Sequence, residues 1–272
     1  MKYYCCLLFF ITFFSFSARA QLTNSPCHSV NDFLDEVSGK YYWGSPKWLA
    51  MMDSALILCP SSAKAWGNKG IIYMMRGDVA SWYLLAEKAV QFDPLYFLGN
   101  RAYHRMRYLR DYEGALKDLQ KLDSIAGLRP VYVADVHSYI LIGQCKEGLG
   151  DRAGALEYYN RSIENQIKER GESWVGTYDY LIRGILKYEM NDYEGALTDL
   201  DKQAKLYEQL ADTYYYRGLV HKMTNHSDLA RIDFEKAKEL LTGQGFKRWD
   251  AQVVLVNEVY LSDIDTALTA LN

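Results

Sequence analysis

The sequence predicts an all-α solenoid of stacked antiparallel helix pairs, and three observations carry that prediction. Nearly the same nine residues occur twice, as DYEGALKDL at 111–119 and as DYEGALTDL at 192–200. A looser copy, DRAGALEYY at 151–159, begins 40 residues after the first and 41 before the second. Helical periodicity runs along the chain, with no alternating strand pattern of useful length. An internal period of this size marks repeated helical units, each unable to bury its apolar face alone and therefore stacked on the next.

Composition permits such a core. Of 272 residues, 49% are hydrophobic and 14% aromatic, with only five prolines, which is too much order-promoting content for a disordered chain. A net charge of -3 gives no field suited to phosphate neutralisation, so neither nucleic acid nor an anionic membrane is expected as partner.

In chain order, residues 1–20 come first. Lys2 precedes an apolar run over 7–16, and Ala18-Arg19-Ala20 supplies small residues around a cut before Gln21. This pattern predicts a secretory signal peptide. The competing reading is a membrane anchor, but the run is shorter than the roughly 20 apolar residues that span a bilayer, and polar residues follow at once. A lipoprotein would need a small-residue run ending in Cys at the cut, and Cys27 lies beyond it without such a run. No other segment is long and apolar enough to cross a membrane, so no transmembrane segment is expected after cleavage. The expected location is the periplasm, the envelope or the exterior, an oxidising setting for Cys27, Cys59 and Cys145.

Residues 21–62 read as a degenerate helix pair, from 30–37 and 47–58, closing on Cys59-Pro60. In an antiparallel hairpin the start of the first helix lies beside the end of the second, which brings Cys27 near Cys59 and predicts a disulfide. Two separate buried thiols are the alternative. Cys145 is left as a free, buried small hydrophobe.

Further along, Gly143, Gly184 and Gly218 each precede an alanine by twelve residues, Ala155, Ala196 and Ala230. Small residues at that regularity point to helices crossing closely within each hairpin. Residues 63–95 add Trp66, Gly70, Tyr73, Gly77-Asp78 and Ala89, followed by Asp93-Pro94. Residues 211–244 carry Tyr214, Gly218, Ala230, Phe234 and Ala237. These patterns resemble the tetratricopeptide repeat, whose unit sets aromatic, glycine, alanine and proline positions at fixed offsets. Residues 96–129 keep Ala115 and Leu119 but place Tyr103 where glycine is expected, with Gly99 one turn earlier. In 63–95, Trp82 and Ala86 have exchanged the usual small and large places, a volume-conserving repacking. The resemblance implies a right-handed α-solenoid with five such pairs over 63–244.

The surplus over the family period lies at 125–131 and 166–173, which predicts longer helices in the third and fourth pairs, with Gly127, Pro130 and Gly171 as breaks. Residues 245–272 are expected to be capping helices. Trp249, Val253, Val256 and Tyr260 form one helical stripe, and Ser262 is expected to cap a final helix through Leu271.

Chemical motifs are sparse. His28, His104, His137, His221 and His226 include no HExxH pair, and no CxxC follows residue 20, so no metal is expected. Gly243-Gln244-Gly245 lacks the strand, third glycine and lysine of a phosphate loop, and Asp263-Ile264-Asp265 lacks the glycine of a calcium loop. No catalytic residue and no cofactor is expected. Acidic residues such as Asp111, Glu113, Asp118, Asp192, Glu194 and Asp199 read as solvating an outer surface or favouring helix N-termini. Many of the 23 tyrosines, Tyr214–Tyr216 among them, read as repeat-core aromatics with a phenol at the edge.

The resemblance also implies a concave groove lined by first helices. Its offsets fall on Met74 and Met75, on Phe97, Asn100, His104, Arg107 and Tyr108, and on His137, Ile140, Gln144 and Glu147. Further on they fall on Tyr178, Leu181, Ile185 and Tyr188, then on Tyr215, Leu219 and Lys222. Such a face implies a protein or peptide partner, and hence a non-catalytic scaffold or assembly factor. For each residue the competing reading is inter-repeat core. Asn100 alone fits the family's carboxylate-gripping pattern, so that mode is not expected. The functional alternative is an all-α glycan-binding or glycoside-processing protein.

Overall fold

The computed structural model describes residues 26–250 and 253–271, so the expected signal region 1–20 lies outside the described residues. The chain divides into two compact units, Met1–Phe92 and Asp93–Asn272. Both consist of helical hairpins, the all-α class of stacked pairs that the sequence predicts.

In the first unit α1 (Pro26–Lys40) pairs with α2 (Pro46–Leu58), and α3 (Ala63–Met75) with α4 (Val79–Phe92). Ser45 caps α2 by accepting from the Trp48 amide at 3.2 Å, with Pro46 in the first turn where its missing N–H is harmless. Ser62 caps α3 in the same way through the Ala65 amide. Leu34, Trp48, Met52 and Ala55 are fully buried between α1 and α2. A Cys27–Cys59 disulfide joins the start of α1 to the residue just beyond α2, with Cα atoms 5.2 Å apart. Between α3 and α4, a methyl added at Gly70 would stand 3.3 Å from Leu85 Cβ and 3.7 Å from the Ala86 nitrogen. The small Ala86 lets the helices meet there, while the buried Trp82 ring supplies bulk one turn earlier.

The second unit opens with α5 (Pro94–His104), which runs into a π-helical turn at Arg105–Leu109, and α6 (Tyr112–Ile125). A short hairpin, β1 (Tyr132–Val133) and β2 (Val136–His137), leads to α7 (Ser138–Gly148) and α8 (Arg152–Arg170). There follow a 3-10 turn at Glu172–Trp174, then α9 (Asp179–Glu189), α10 (Tyr193–Leu206), α11 (Ala211–Met223), α12 (Ser227–Thr242) and α13 (Leu261–Thr269). Each of α5/α6, α7/α8, α9/α10 and α11/α12 is a hairpin, and each packs on the next. No helix among the described residues is long and apolar enough to cross a membrane.

The repeated phrase has a local cause. Asp111, Asp151 and Asp192 cap α6, α8 and α10, accepting from the amides of Gly114, Gly154 and Gly195 at 2.9, 2.9 and 3.0 Å. A methyl group on any of these glycines would collide with the capping carboxylate, so Asp-x-x-Gly is a cap together with its clearance. At the helix crossings, Gly143 faces the Tyr159 ring, Gly184 faces Leu200 and Gly218 faces Phe234. The partner is thus the residue sixteen further on. Ala155, Ala196 and Ala230, twelve on, are fully buried in the same hairpins.

Three hairpins of this unit also carry a buried ion pair, two of them built on acids that the sequence reading placed outside. Arg101 reaches both carboxylate oxygens of Asp118 at 2.8 and 2.7 Å, Arg183 those of Asp199 at 2.8 and 2.6 Å, and Arg217 those of Asp233 at 2.9 and 2.6 Å. One turn along the first helix a second basic residue approaches each acid: Arg105 at 3.2 Å, Lys187 at 2.8 Å and His221 at 3.6 Å. Asp118 and Asp199 therefore correct the expectation of solvating carboxylates, because each is enclosed where two cations meet it. The α7/α8 hairpin differs. There Arg161 lies over the rings of Tyr139 and Tyr158, 4.5 and 4.9 Å from their centroids.

Three further expectations need correction. The surplus near 125–131 forms a turn that leads into the β-hairpin and not extra helical turns, since Gly127 and Leu128 take left-handed conformations that interrupt a helix. The second surplus does lengthen α8, to 19 residues against 14 in α10, but the fourth pair is not longer. No helix carries Trp249, Val253, Val256 and Tyr260. Main-chain groups there bond to side chains instead, Arg248 to Asp212, Val253 to Asp250 and Leu255 to Glu258, which leaves no helical ladder. The final helix begins at Leu261, where the Tyr260 amide donates to Asp263 at 2.8 Å, so Ser262 is not its cap.

Gly143→Ala should lower stability by about 1–3 kcal/mol through overpacking on Tyr159. Asp199→Ala should cost about 3–5 kcal/mol by stranding Arg183 and Lys187. Urea unfolding checks both, and a loss under about 0.5 kcal/mol for Asp199→Ala would contradict its enclosed position. Reducing the disulfide, whose cysteines stand 32 residues apart, should remove roughly 3–4 kcal/mol from the first unit. Thermal melts with and without reductant test this, with Cys59→Ser as the variant that reductant should not affect.

Candidate functional site on the second unit

Helices α7 and α9, with the end of α5 and the turn after it, face a shared cavity. On α7 and its N-cap, His137, Ile140, Leu141, Gln144 and Glu147 recur at the three- and four-residue spacing of a single stripe. Along α9 and its start, Tyr178, Ile182, Ile185 and Glu189 do the same, and the π-helical turn with the residue that ends it presents Met106, Arg107 and Arg110. The chain after α12 returns across this face and adds Arg248, Trp249, Val253, Leu255, Val256 and Asn257. Together they bound a cavity of about 740 Å³, within the size range of ligand clefts. Arg170, 5.6 Å from the Tyr132 ring centre and 5.8 Å from that of Trp174, forms part of its edge.

Most charged groups of the cavity are engaged. Arg107 pairs with Asp250, and Arg110 donates to the Val254 carbonyl at 2.6 Å. The Arg248 amide donates to Asp212 at 3.0 Å, while its guanidinium donates to the carbonyls of Asn257 and Val256 at 2.9 and 3.2 Å. Burial raises the Asp212 carboxyl above its usual range, an effect that Arg248 opposes. Asn257 donates to Glu189 at 3.1 Å, and Arg152 reaches the same carboxylate at 3.4 Å. Burial also raises Glu147, with the Tyr159 hydroxyl donating to it at 2.6 Å in partial compensation. Asp179 is raised by burial as well, although Gln166 donates to it at 2.6 Å.

His137 caps α7, accepting from the Tyr139 amide at 3.3 Å through Nδ1. Burial pushes its pKa down to about 4, so the ring is neutral at pH 7 and its proton sits on Nε2. That nitrogen is buried without a hydrogen-bond partner among the described residues. Cys145, behind this wall, is fully buried with its thiol pushed up to about 12, which makes it inert. No group of three or more His, Cys, Asp or Glu among the described residues is placed to hold a metal ion.

Of the residues expected on the groove, the cavity brings together Arg107, His137, Gln144 and Tyr178, with Ile140, Glu147 and Ile185. Phe97 and His104 are buried within α5. His104 donates to the Asn100 carbonyl at 2.6 Å and stacks on Tyr108 at 5.6 Å, so these three serve the helix and do not line the cavity. Tyr188, Tyr215 and Leu219 pack onto the core formed by α9 to α13, which also buries Leu181. Met74 is buried in α3 of the first unit, and Met75 is half-exposed beside it. Sequence reasoning missed Tyr103, Arg110, Trp174 and the whole returning segment. Arg110 lies next to the repeated phrase, but nothing in the pattern signals its bond to a residue 144 positions away.

The tetratricopeptide-repeat profile matches residues 136–166, spanning β2, α7 and most of α8. Photosystem I assembly protein Ycf3 of Prochlorococcus marinus (strain MIT 9301) is 30% identical over 124 residues, covering 43% of this chain and 71% of that relative. Pseudomonas aeruginosa PilF is similar in fold with a TM-score of 0.64 at 18% identity, over 81% of this chain and 95% of its own. PilW, a type IV pilus biogenesis factor, gives a TM-score of 0.66 at 14% identity, over 90% of this chain and 99% of its own. With the observed hairpins, these likenesses define a helical-repeat solenoid protein. The chain belongs to the tetratricopeptide-repeat family.

The position of His137 sets a pH dependence. An unfolded histidine titrates near 6.5, whereas the folded ring resists protonation down to about 4. As pH falls between those values the unfolded state binds the proton first, so this residue's contribution is complete above about 6.5 and is lost on the way down. Nitrogen-detected NMR should place the His137 midpoint near 4, and wild type should lose stability relative to His137→Gln over that interval. A midpoint near 6.5 would contradict the burial.

Proposed function

We propose that the protein is a non-catalytic scaffold or assembly factor that holds a protein or peptide partner on the concave face of its second unit. The observation that carries this is the cavity of about 740 Å³ lined by the stripes of α7 and α9, which set Ile140, Leu141 and Ile185 beside Gln144, Glu147 and Tyr178. Its carboxylates favour binding over hydrolysis, because Glu147 is held by Tyr159 and Glu189 by Asn257 and Arg152. Family members named as a photosystem I assembly protein and a type IV pilus biogenesis factor support an assembly role.

The site of action we propose is outside the cytoplasm, in the periplasm, at the envelope or secreted. Support comes from the signal-like composition of residues 1–20 and from a Cys27–Cys59 disulfide, which persists in an oxidising compartment. Crosslinking and affinity capture from the native envelope fraction should recover the partner with wild type. A Gln144→Ala, Tyr178→Ala double variant should recover at least about tenfold less, a loss equivalent to roughly 1.4 kcal/mol. Undiminished recovery by a folded double variant would rule out the concave face as the binding surface.

A further inference from the structure

The segment returning from α12 is held on the concave face more by polar contacts than by packing. Its ends are secured, since Arg248 is buried against Asp212 and Val259 is fully buried. Between them Trp249, Val254 and Val256 leave 63%, 65% and 53% of their surface in solvent. Asp250 on Arg107, the Val254 carbonyl on Arg110 and Asn257 on Glu189 seat it. The Arg110 contact lies in solvent, where such contacts are individually weak, and the other two are part-buried. The seating nevertheless states a chemistry: an irregular chain laid across first helices, with one carboxylate and one carbonyl on successive arginines and aliphatic side chains over the cavity.

We propose that residues 248–250 and 253–257 are a self-ligand of the concave face. The partner is then an extended protein segment of the same chemistry, with a carboxylate for Arg107 and aliphatic residues three to six positions beyond it, and it takes the face by replacing the self-ligand. The inference rests on the protein-binding reading above and adds the partner's chemistry. A tethered occupant competes at a high effective concentration, so an outside segment gains access when the tether's contacts are weakened.

The test uses the full chain and a fluorescein-labelled synthetic peptide, RWDAQVVLVN, followed by fluorescence anisotropy. Asp250→Ala and the isosteric Asp250→Asn should each bind this probe about tenfold more tightly than wild type, the weight of one partly buried ion pair. Adding Arg107→Ala to Asp250→Ala should abolish the gain, and a probe with alanine for its aspartate should bind Asp250→Ala about tenfold more weakly. Hydrogen exchange should speed up across 253–257 while α7 and α9 keep their protection. Equal affinity of wild type and both Asp250 variants overturns the proposal, as does a gain accompanied by loss of protection throughout α7 and α9. Dimerisation of Asp250→Ala without a gain for the probe assigns the segment to a second copy and also overturns it. None of these failures touches the protein-binding reading, because the Gln144 and Tyr178 capture experiment keeps the native segment in place.

Discussion

Close approach of paired helices is the constraint from which the second unit follows. Glycine at the crossing removes the side chain that would hold the axes apart, and the facing helix fills the space with a ring or a leucine sixteen residues on. At that separation an aspartate on the second helix reaches a guanidinium on the first with both oxygens, out of water. Enclosing charge is costly, so the pair adds less to stability than its geometry suggests. What it supplies is register. If either helix slid by one turn, the two-oxygen seat of the carboxylate on Arg101, Arg183 or Arg217 would be lost in that hairpin.

The same constraint explains what could be read from the sequence. Asp-x-x-Gly, the crossing glycines and the buried alanines each need a particular small or capping residue at a fixed offset, and such needs leave a periodic trace. The exchange of Trp82 and Ala86 was legible for the same reason, because the volume of the pair is conserved. Asp118 and Asp199 were misread although they sit in the most regular phrase of the chain. An aspartate on a helix looks alike whether it faces solvent or a guanidinium contributed by the other helix, and only the offset to Arg101 or Arg183 separates the two cases.

The lining of the candidate cavity was legible where it coincides with the repeat and obscure elsewhere. His137, Gln144 and Tyr178 lie on faces that any repeat of this kind turns inward, so the offsets found them. Phe97, His104, Tyr188 and Tyr215 satisfy similar offsets, but the first two are buried in α5 and the last two pack onto the core of α9 to α13, since an inward face supplies both core and surface and sequence does not divide them. The segment after α12 was obscure for a different reason. Trp249, Val253, Val256 and Tyr260 are spaced as a helix would space them, yet Asp212, Asp250 and Glu258 take up the main-chain amides that a helix would use internally.

That segment also alters how the second unit is wired. A stack of hairpins is nearly one-dimensional, since each member touches its neighbours and the ends have no knowledge of one another. Here Arg107 and Arg110, in the first hairpin of the unit, touch Asp250 and Val254, which follow its last one, across 143 and 144 residues of chain. The open row becomes a ring of contacts. Fraying at either end is coupled to the other, and the long-range closure raises the contact order of a topology otherwise built for rapid local assembly.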